Sequence, residues 1–447
     1  MASTYLTKQI STAGSRKKAT ISLWVKRGSG FGNDQRWFSY ENTSVSNNVT
    51  VFKFSGDSIQ FADQTGGSNN ARYDGTRKLR DPNAWYHFLV KMDTTQATNT
   101  DRLKVYINGE LQSEASYTYP SQNADLNIGH NSNAYIDIGR WRSSNNQYFD
   151  GCMTHFHYTD GYAYDASTFG ETDSTSGIWK PKTNPSVTYG TNGFFLKFAN
   201  SASLGLDSSG NTNNLTVSGT GTQTQDAPSN NFATMNPLRP NNISQTYSNG
   251  NNTFIRTGTG GQMNGTLGVT SGKWYYECLI DDYWQYLGWT VLSQNTSETA
   301  ACSNSGSGFY GLYSNATDAL TYANGTQTSQ SSYTAMASGQ IWGIAFDADN
   351  AKMYFSVNGV WENSSDPANQ TNPAISSIPV TDFLVPAIGQ GTGSRSSTIK
   401  INFGNGYFGT TAVTSSNSDG NGYGLFEYSV PSGYYALCTK NIKLYGG

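Results

Sequence analysis

The chain has 447 residues and a formal net charge of −3, so it lacks the basic field typical of nucleic-acid-binding proteins. Charged residues make up only 13% of it, whereas it contains 48 Gly and 29 Tyr. Glycine supplies positive-φ turn positions and aromatic residues suit pleated faces, so this composition is typical of short β-strands joined by many turns. At roughly 100–200 residues per domain, the length predicts two or three domains.

Residues 1–19 contain no apolar core of a secretory signal, and no run of about 18 apolar residues could cross a bilayer. We therefore expect synthesis in a cytoplasm and no membrane insertion. The four cysteines are widely spaced and form no C-x-x-C pair, which argues against a zinc or redox motif. A disulfide between Cys278 and Cys302 stays open as an alternative to four thiols.

The first half of the chain contains short segments that alternate apolar and polar residues, as half-buried strands do. They are residues 19–25, 50–54, 58–61, 85–92, 103–107, 135–140 and 153–158. The dipeptide Asn108-Gly109 predicts a tight hairpin turn because both central positions of such a turn need positive φ. Only residues 165–169 suggest a short helical turn. This pattern predicts antiparallel sandwiches rather than a parallel α/β sheet.

Residues 200–250 are dominated by small polar residues and include Pro228, Pro237 and Pro240, which indicates a loosely packed connection. Strand patterns resume afterwards, at residues 273–279, 287–291, 308–312, 340–346, 352–357 and 398–403. We expect a first domain over 1–185, a polar connecting segment over 186–245, a second domain over 246–410 and a C-terminal strand or tail over 411–447.

The first half resembles a laminin G-like (concanavalin A-like) domain. The motifs are T-I-S-L-W-V-K at 20–26, W-Y-H-F-L-V-K-M at 85–92, K-V-Y-I-N-G-E at 104–110, I-D-I-G-R at 136–140 and Y-F-D-G-C-M at 148–153. The resemblance implies two curved antiparallel sheets and binding of carbohydrate or protein.

The second half resembles a SPRY domain. The motifs are G-K-W-Y-Y-E at 272–277, Y-L-G-W-T at 286–290, G-F-Y-G at 308–311, Q-I-W-G-I-A-F-D at 340–347, K-M-Y-F-S-V-N-G-V-W at 352–361 and I-N-F-G-N-G-Y-F at 401–408. This resemblance implies a β-sandwich with ligand-binding loops and no catalysis. The fold class expected for the chain is therefore all-β, with two antiparallel (jelly-roll) sandwiches joined by a polar linker.

Residues 225–237 and 426–441 are similar to segments of tailed-phage virion proteins of the marine and cyanobacterial type. That similarity implies a virion location, other virion proteins as partners and assembly in the host cytoplasm. A homo-oligomer, such as a trimer, would suit a fibre.

Catalytic signatures are weak in this sequence. Sandwich glucanases carry two carboxylates on one strand face, and none of the eight Glu stands in such a pattern. The sequence contains no P-loop and no G-x-S-x-G motif. We interpret His155 and His157 as polar residues on a solvent-facing strand and His87 as a half-buried strand residue. The chain is expected not to be an enzyme and to need no cofactor.

Calcium is the one metal that the laminin G-like resemblance raises. Many such domains hold one Ca²⁺ through Asp carboxylates at the loop rim. Asp74, Asp137 and Asp150 are available acceptors, although Asp150 precedes a glycine and fits turn chemistry alone. A bound calcium is thus an alternative to a metal-free domain.

Two loops combine aromatic side chains with hydrogen-bonding groups, as sugar-binding sites do. The first contains Arg140, Trp141 and Arg142 and leads to Tyr148; the alternative is a strand end with Trp141 at the edge of the core. The second contains Asp282, Tyr283, Trp284 and Tyr286; the alternative is a packed turn. Four further tryptophans lie in strand patterns and are expected in the core, namely Trp24, Trp85, Trp274 and Trp342.

Three hypotheses of function follow. The first is a non-catalytic adhesin, a tail fibre or appendage that binds a host-surface glycan or protein. The second is a capsid or tail decoration protein that docks on the virion. The third is a polysaccharide depolymerase, against which the missing carboxylate pair argues.

Overall fold

The computed structural model describes residues 3–174, 176–238, 244–257, 261–295, 301–315, 317–390 and 396–446. The contacts divide the chain into two compact units, Met1–Gln223 and Thr224–Gly447. The division falls inside the segment 186–245 that the sequence predicted as a connection. Of that segment, residues 239–243, including Pro240, lie outside the described residues.

The strands of the first unit, in chain order, are Tyr5–Ile10 (β1), Lys18–Arg27 (β2), Gln35–Asn42 (β3), Val49–Ser55 (β4), Ser58–Thr65 (β5), Ser68–Asp74 (β6), Trp85–Asp93 (β7), Leu103–Ile107 (β8), Glu110–Leu111 (β9), Ser116–Thr118 (β10), Ala134–Ile138 (β11), Gly151–Asp160 (β12), Gly170–Thr172 (β13), Trp179–Pro181 (β14), Phe194–Leu196 (β15) and Thr216–Ser218 (β16). Sheet A has the order β10-β6-β5-β4-β3-β11-β1-β16, and sheet B has the order β15-β12-β2-β7-β8-β9. Strands β13 and β14 pair separately, and short 3-10 turns occupy Asn99–Asp101 and Ala166–Thr168.

The core of the first unit lies between sheets A and B. Trp37 of β3 is fully buried and its ring meets Phe52 of β4, at 5.0 Å between centroids, and Phe88 of β7, at 4.6 Å. Ile21 and Leu23 of β2 alternate toward the same core. The predicted antiparallel sandwich is therefore confirmed in this unit, including its period-2 strands.

The outer face of sheet B is covered by the chain itself. His87 is fully buried, and His157 is buried against Phe169 and Phe195. The predictions of a half-buried His87 and of a solvent-facing His157 were therefore wrong, whereas His155 is half-buried. A bulge between Thr154 and His157 gives the His155 backbone a φ of 45°, and the rings of both histidines lie near that of Phe195, at 6.0 and 3.9 Å between centroids.

Part of the segment over 186–245, which the sequence predicts as a polar connection, forms strands of the first unit. Strand β15 pairs with β12 and β16 pairs with β1, both in the first unit. The Asp207 carboxylate accepts the backbone N–H groups of Phe195, Ser209 and Asn213, which organises the polar stretch between these strands. The small polar residues of this stretch thus form hydrogen-bonded turns rather than a loosely packed linker.

The strands of the second unit are Ser244–Ser248 (β17), Thr253–Thr257 (β18), Gln262–Asn264 (β19), Lys273–Ile280 (β20), Gln285–Val291 (β21), Phe309–Ser314 (β22), Ala319–Ala323 (β23), Thr326–Ser329 (β24), Ile341–Asp347 (β25), Lys352–Val357 (β26), Val360–Trp361 (β27), Leu384–Gln390 (β28), Ser396–Asn402 (β29), Tyr407–Phe408 (β30), Thr411–Ala412 (β31) and Tyr435–Ala436 (β32). Sheet C has the order β17-β18-β29-β20-β25-β26-β27, with β32 parallel to β20, and sheet D has the order β19-β28-β21-β22-β23-β24. Short 3-10 turns lie at Leu292–Gln294 and Glu362–Ser364, and helix α1 spans Thr439–Tyr445.

Sheets C and D enclose a second core that contains Trp274, Trp289 and Trp342, all fully buried. In the first unit, Trp24 is buried on the outer face of sheet B, where it stacks on His87, and Trp85 is half-buried, so the core position expected for these two was wrong. The tail after residue 411 belongs to this unit, and it contains helix α1, which was not predicted from the sequence. All four cysteines are thiols rather than disulfides.

Part of the tail is held by Glu277 on β20. The Glu277 carboxylate is fully buried and accepts the backbone N–H groups of Glu427, at 3.0 Å, and Tyr428, at 2.9 Å. Tyr275 and Asn402 donate two more hydrogen bonds to it. Burial raises the pKa of Glu277 to about 7.

None of the helices in the described part of the chain has the length and apolar character needed to cross a membrane.

Candidate binding surfaces

The first predicted loop forms a closed turn after β11. Trp141 and Asn146 exchange backbone hydrogen bonds in both directions, of 2.8 and 3.3 Å. Asn145 has φ 48°, a left-handed conformation that asparagine tolerates well, and this lets the turn close within six residues. Residues 143–146 are exposed, whereas Trp141, Arg142 and Tyr148 are half-buried.

Arginine and aromatic side chains stack around this turn. The Arg36 guanidinium lies 4.1 Å from the Trp141 ring centroid, and the Arg142 guanidinium lies 3.9 Å from that of Tyr135. We call the whole group the arginine–aromatic cluster: Tyr5, Arg36, Tyr135, Arg140, Trp141, Arg142 and Tyr148, which includes the stack of Arg140 on Tyr5 at 3.4 Å. Each stack fixes a flat ring beside a hydrogen-bond donor.

Two buried carboxylates anchor the cluster from below. Asp137 on β11 is fully buried and accepts Nε of Arg142 at 2.6 Å and Nη2 of Arg140 at 3.4 Å. Glu41 on β3, which is 2% exposed, accepts the backbone N–H of Arg142 at 3.0 Å and the Ser143 hydroxyl at 2.5 Å. Both carboxylates lie on the face of sheet A opposite the core, because Asp137 pairs with Ser39 in register and Glu41 follows two residues later.

The cluster only partly matches the predicted site. Trp141, Arg142 and Tyr148 are half-buried and so leave part of their surface accessible to a ligand, and the Tyr148 hydroxyl donates to Asn145 at 2.7 Å. The inclusion of Arg140 as a ligand-contacting residue was wrong, because it is 8% exposed and committed to Asp137 and Asn145.

Sequence reasoning missed three members of the cluster. Tyr135 shares a strand face with Asp137, so the alternation of β11 could have identified it. Tyr5 and Arg36 lie more than 100 residues before the turn and carry no local signal. The pairing of β11 with β1 and β3 brings them to the site.

The three carboxylates considered for calcium are each held by donors of the chain. Asp74 pairs with Arg72 at 2.6 Å, Asp137 pairs with Arg142, and Asp150 accepts the backbone N–H and hydroxyl of Ser29 at 2.9 and 3.0 Å. Within the described ranges, no group of three or more His, Cys, Asp or Glu side chains is arranged to hold a metal ion. These carboxylates therefore do not converge on a common centre.

The second predicted loop, at the start of β21, is a packed turn. Trp284 adopts φ 76°, which is strained for a bulky side chain, and its backbone N–H donates to the Ser314 carbonyl at 2.7 Å. Tyr283 and Trp284 are half-buried with ring centroids 6.3 Å apart, and Asp282 is half-buried beside them. Tyr286 is only 4% exposed and stacks on Tyr313 at 4.4 Å, so its assignment as a ligand-binding residue was wrong.

Most glutamates in the described residues accept hydrogen bonds or ion pairs from the chain. Glu277 and Glu41 are bound as described above, Glu362 accepts the backbone N–H of Thr334 at 2.7 Å, and Glu427 accepts that of Thr414 at 2.6 Å. Glu298 lies outside the described residues. The carboxylates of these four glutamates are thus engaged in hydrogen bonds within the chain.

The buried histidines His87 and His157 are uncharged at neutral pH because burial lowers the pKa of each ring. Burial lowers the pKa of His87 to about 3. Trp179 donates its indole N–H to Nδ1 of His87 at 3.0 Å, so Nδ1 is unprotonated and Nε2 carries the hydrogen toward Ser22 Oγ at 2.8 Å. His87 is therefore a packed structural group between Trp24 and Trp179.

A polar cleft of about 300 Å³ lies elsewhere in the first unit. Its lining residues are Tyr73, Thr76, Arg77, Glu110, Leu111, Gln112, Ser113, Glu114 and Ala115. Arg77 and Glu110 pair across it at 3.4 Å, but both side chains are more than half exposed, so the pair organises the cleft weakly.

Comparison with known proteins agrees with this architecture for the first unit. Residues 3–166 match the family model described as the concanavalin A-like lectin/glucanases superfamily, which confirms the expected laminin G-like resemblance of that part of the chain. No curated protein matches the sequence.

Solved structures with similar folds include SPRY domains and a pentraxin. The SPRY domain of human HERC1 is 17% identical with a TM-score of 0.27, covering 35% of this chain and 91% of its own. The TRIM65 PSpry domain is 14% identical with a TM-score of 0.29, covering 38% and 88%. The heptameric SAP-like pentraxin of Limulus polyphemus is 14% identical with a TM-score of 0.29, covering 40% and 86%. The strands of both units make the chain nearly all-β, and residues 3–166 form a region similar to laminin G-like domains.

Proposed function

We propose that the chain is a non-catalytic adhesin of a phage virion, a tail fibre or appendage that binds a host-surface glycan or protein through the arginine–aromatic cluster. The observation that carries this proposal is the pair of half-exposed rings, Trp141 and Tyr148, set beside arginine side chains that buried Asp137 holds in place.

The chemistry of the cluster suits a polyol ligand. Flat aromatic faces pack against the C–H groups of a sugar ring, while amide and hydroxyl groups read the positions of its hydroxyls. The exposed turn residues Ser143 and Asn145 lie beside Trp141 and supply such groups. Because stacking and ion pairs already order the arginines, ligand binding would lose little side-chain entropy.

The absence of catalysis is part of the proposal. It is supported by the carboxylates of Glu41 and Glu277, which are buried and fully occupied as hydrogen-bond acceptors. If the chain were instead a polysaccharide depolymerase, purified protein would release reducing ends from host capsule, and Asp282→Asn or Glu277→Gln would abolish that release. An inactive wild-type protein would exclude the depolymerase.

The phage origin rests on the similarity of residues 225–237 and 426–441 to segments of virion proteins. Partners would then be other virion proteins, and a homo-oligomer would raise the strength of attachment through multivalency. No bound nucleic acid is expected at a net charge of −3.

A two-arm binding experiment tests the proposal. Purified full-length chain is titrated onto intact candidate host cells and, separately, onto virus particles that lack this protein. Saturable binding to cells that Trp141→Ala weakens at least tenfold supports the adhesin. A tenfold change corresponds to about 1.4 kcal/mol, which the loss of one stacking ring can supply.

The alternative is a capsid or tail decoration protein. Its supporting observation is that the residues the structure describes form two compact β-sandwich units, without a repetitive shaft among them. Tight association with the depleted particles, together with no binding to cells, would establish decoration and contradict the adhesin.

A further inference from the structure

A layer of polar side chains closes one end of the second core. On sheet C, Arg256 of β18 pairs in register with Ser397 of β29. Their side chains lie on the same faces of these strands as those of Phe254 and Ile399, which pack in the core. On sheet D, Gln285 of β21 pairs with Gln390 of β28, and the neighbouring pair on the same face, Leu287 and Ile388, also lies in the core. The polar layer is thus built from both sheets.

These side chains are buried and close together. Arg256 is 1% exposed, Gln285 is 0% exposed and Ser397 is 2% exposed. The Arg256 Nη1 donates to the backbone carbonyl of Gln390 at 3.4 Å, which links the two sheets. The layer lies where β18 and β28 end and where β19, β21 and β29 begin, at one end of the sandwich.

Five buried side-chain atoms of Arg256, Gln285 and Ser397 have no hydrogen-bond partner. Nε and Nη2 of Arg256, both side-chain atoms of Gln285 and the Ser397 hydroxyl are buried without a partner. Among the residues that the structure describes, no carboxylate lies within ion-pair distance of the Arg256 guanidinium. Burial lowers the pKa of Arg256 to about 10, so the group still carries its charge at neutral pH.

Arg27, which is fully buried in the first unit, shows how the charge of a buried arginine is normally compensated. Arg27 in the first unit donates to Asp57 at 3.2 Å and to the carbonyl oxygens of Leu79, Gly30 and Gly56. Its positive charge lies beside a carboxylate, and both of its Nη groups donate to acceptors, although Nε has no partner. Arg256 is equally buried but has one long hydrogen bond to a neutral carbonyl.

The unused atoms of Arg256 have a specific arrangement. Nε and Nη2 form one edge of the planar guanidinium, and their N–H bonds point in parallel. This edge matches the two oxygens of a carboxylate, which accept it bidentately. The Gln285 amide and the Ser397 hydroxyl face the same layer and can donate to, or accept from, the remainder of such a ligand.

We propose that this layer is a carboxylate-binding site, in which Arg256 forms a bidentate pair with the ligand and Gln285 and Ser397 complete its hydrogen bonds. The ligand is a small carboxylate ion or the carboxylate of a sugar acid. This site lies in the second unit and does not depend on the adhesin function proposed for the cluster of the first unit.

The test measures carboxylate binding by the full-length protein. The ¹⁹F resonance of trifluoroacetate is followed as protein is added, with chloride keeping the ionic strength constant. We expect saturable broadening that acetate reverses. Acetate at about 100 times its dissociation constant should also raise the midpoint of thermal unfolding by roughly 5 °C above the chloride control.

Variants of Arg256 decide the assignment. Arg256→Met should remove the trifluoroacetate effect, and Arg256→Lys should weaken it at least tenfold because a lysine cannot form the two parallel hydrogen bonds. The matched control is Arg77→Met, which removes an exposed arginine and should change nothing. If Arg256→Met fails to fold, Arg256→Lys alone decides, since undiminished binding by that variant would overturn the proposal.

Two competitors identify the source of the carboxylate. Displacement of trifluoroacetate by acetate but not by glucuronate identifies a small ion, whereas glucuronate that competes at least as well as acetate identifies a sugar acid. Absence of saturable broadening with the wild-type protein, or equal stabilisation by acetate and chloride, would overturn the site and indicate that ordered water fills the layer.

Discussion

In the first unit the buried charges of Arg27 and Asp137 lie in ion pairs, whereas in the second unit Arg256 and Glu277 are buried among neutral groups. Ion pairing lets the first unit hold charged side chains rigidly at a surface, where they can meet a ligand. In the second unit, the Glu277 carboxyl group accepts hydrogen bonds from the tail, and among the described residues no carboxylate lies within ion-pair distance of the Arg256 guanidinium. The two units should therefore respond differently to mutation and to pH.

The largest expected effect is that of Asp137→Asn. The substitution leaves Arg140 and the half-buried Arg142 without their carboxylate, and breaking a buried ion pair typically costs about 3–5 kcal/mol. Denaturant titration should show that loss in the free energy of unfolding. Asp74→Asn is the control, because its pair with Arg72 is exposed by 30–39% and should contribute less than about 1 kcal/mol. Equal losses in the free energy of unfolding for both variants would contradict the difference expected between buried and exposed ion pairs.

The pH responses of the two units should have opposite signs. The folded-state pKa of His87, about 3, lies below its unfolded value of 6.5, so its contribution to stability is complete above pH 6.5 and is lost as pH falls. The folded-state pKa of Glu277, about 7, lies above 4.5, so its contribution is complete below pH 4.5 and is lost as pH rises toward 7. Each group should change the stability of its unit by about 2 kcal/mol between pH 5 and 6.5.

Hydrogen exchange, corrected for intrinsic rates and read separately on peptides of each unit, measures these responses. Protection in the first unit should increase from pH 5 to 6.5, while protection in the second should decrease. Glu277→Gln should remove the decrease and leave the first unit unchanged. Parallel changes in both units would contradict the assignment of these two groups.

Trp179→Phe should have a smaller effect. It removes the indole donor to Nδ1 of His87 but keeps an aromatic ring over the histidine, so we expect a loss of about 1 kcal/mol. The cost should be confined to the first unit, as judged by denaturant titration and peptide exchange. Trp361→Phe in the second unit, a half-buried tryptophan, is the matched control.

Much of the fold could be predicted from sequence because its determinants are local. Alternation along segments such as residues 85–92 and 352–357 marked strands that the structure contains. The predictions that were wrong concern residues that other segments of the chain bury in the folded protein. His157 was predicted to be exposed because the sequence around it does not show that Phe169 and Tyr189 pack against its ring. Likewise, the turns around Asp207 suggested a loosely packed segment because composition does not show which backbone N–H groups a carboxylate accepts.

The site was predictable to the same extent. Arg142, Trp141 and Tyr148 lie within one short loop, so their proximity was visible in the sequence. The anchoring role of Asp137 and the stacking of Arg36 on Trp141 depend on strand pairing across about 100 residues, which composition and spacing do not encode.

The measurement that tests the central claim most directly compares the two predicted loops in one assay. Equilibrium binding to intact candidate host cells is determined for the wild type, Trp141→Ala and Trp284→Ala. We predict saturable binding by the wild type, at least a tenfold weaker affinity for Trp141→Ala and an affinity within about twofold of wild type for Trp284→Ala, whose ring lies in a packed turn. Undiminished binding by Trp141→Ala would contradict recognition through the arginine–aromatic cluster.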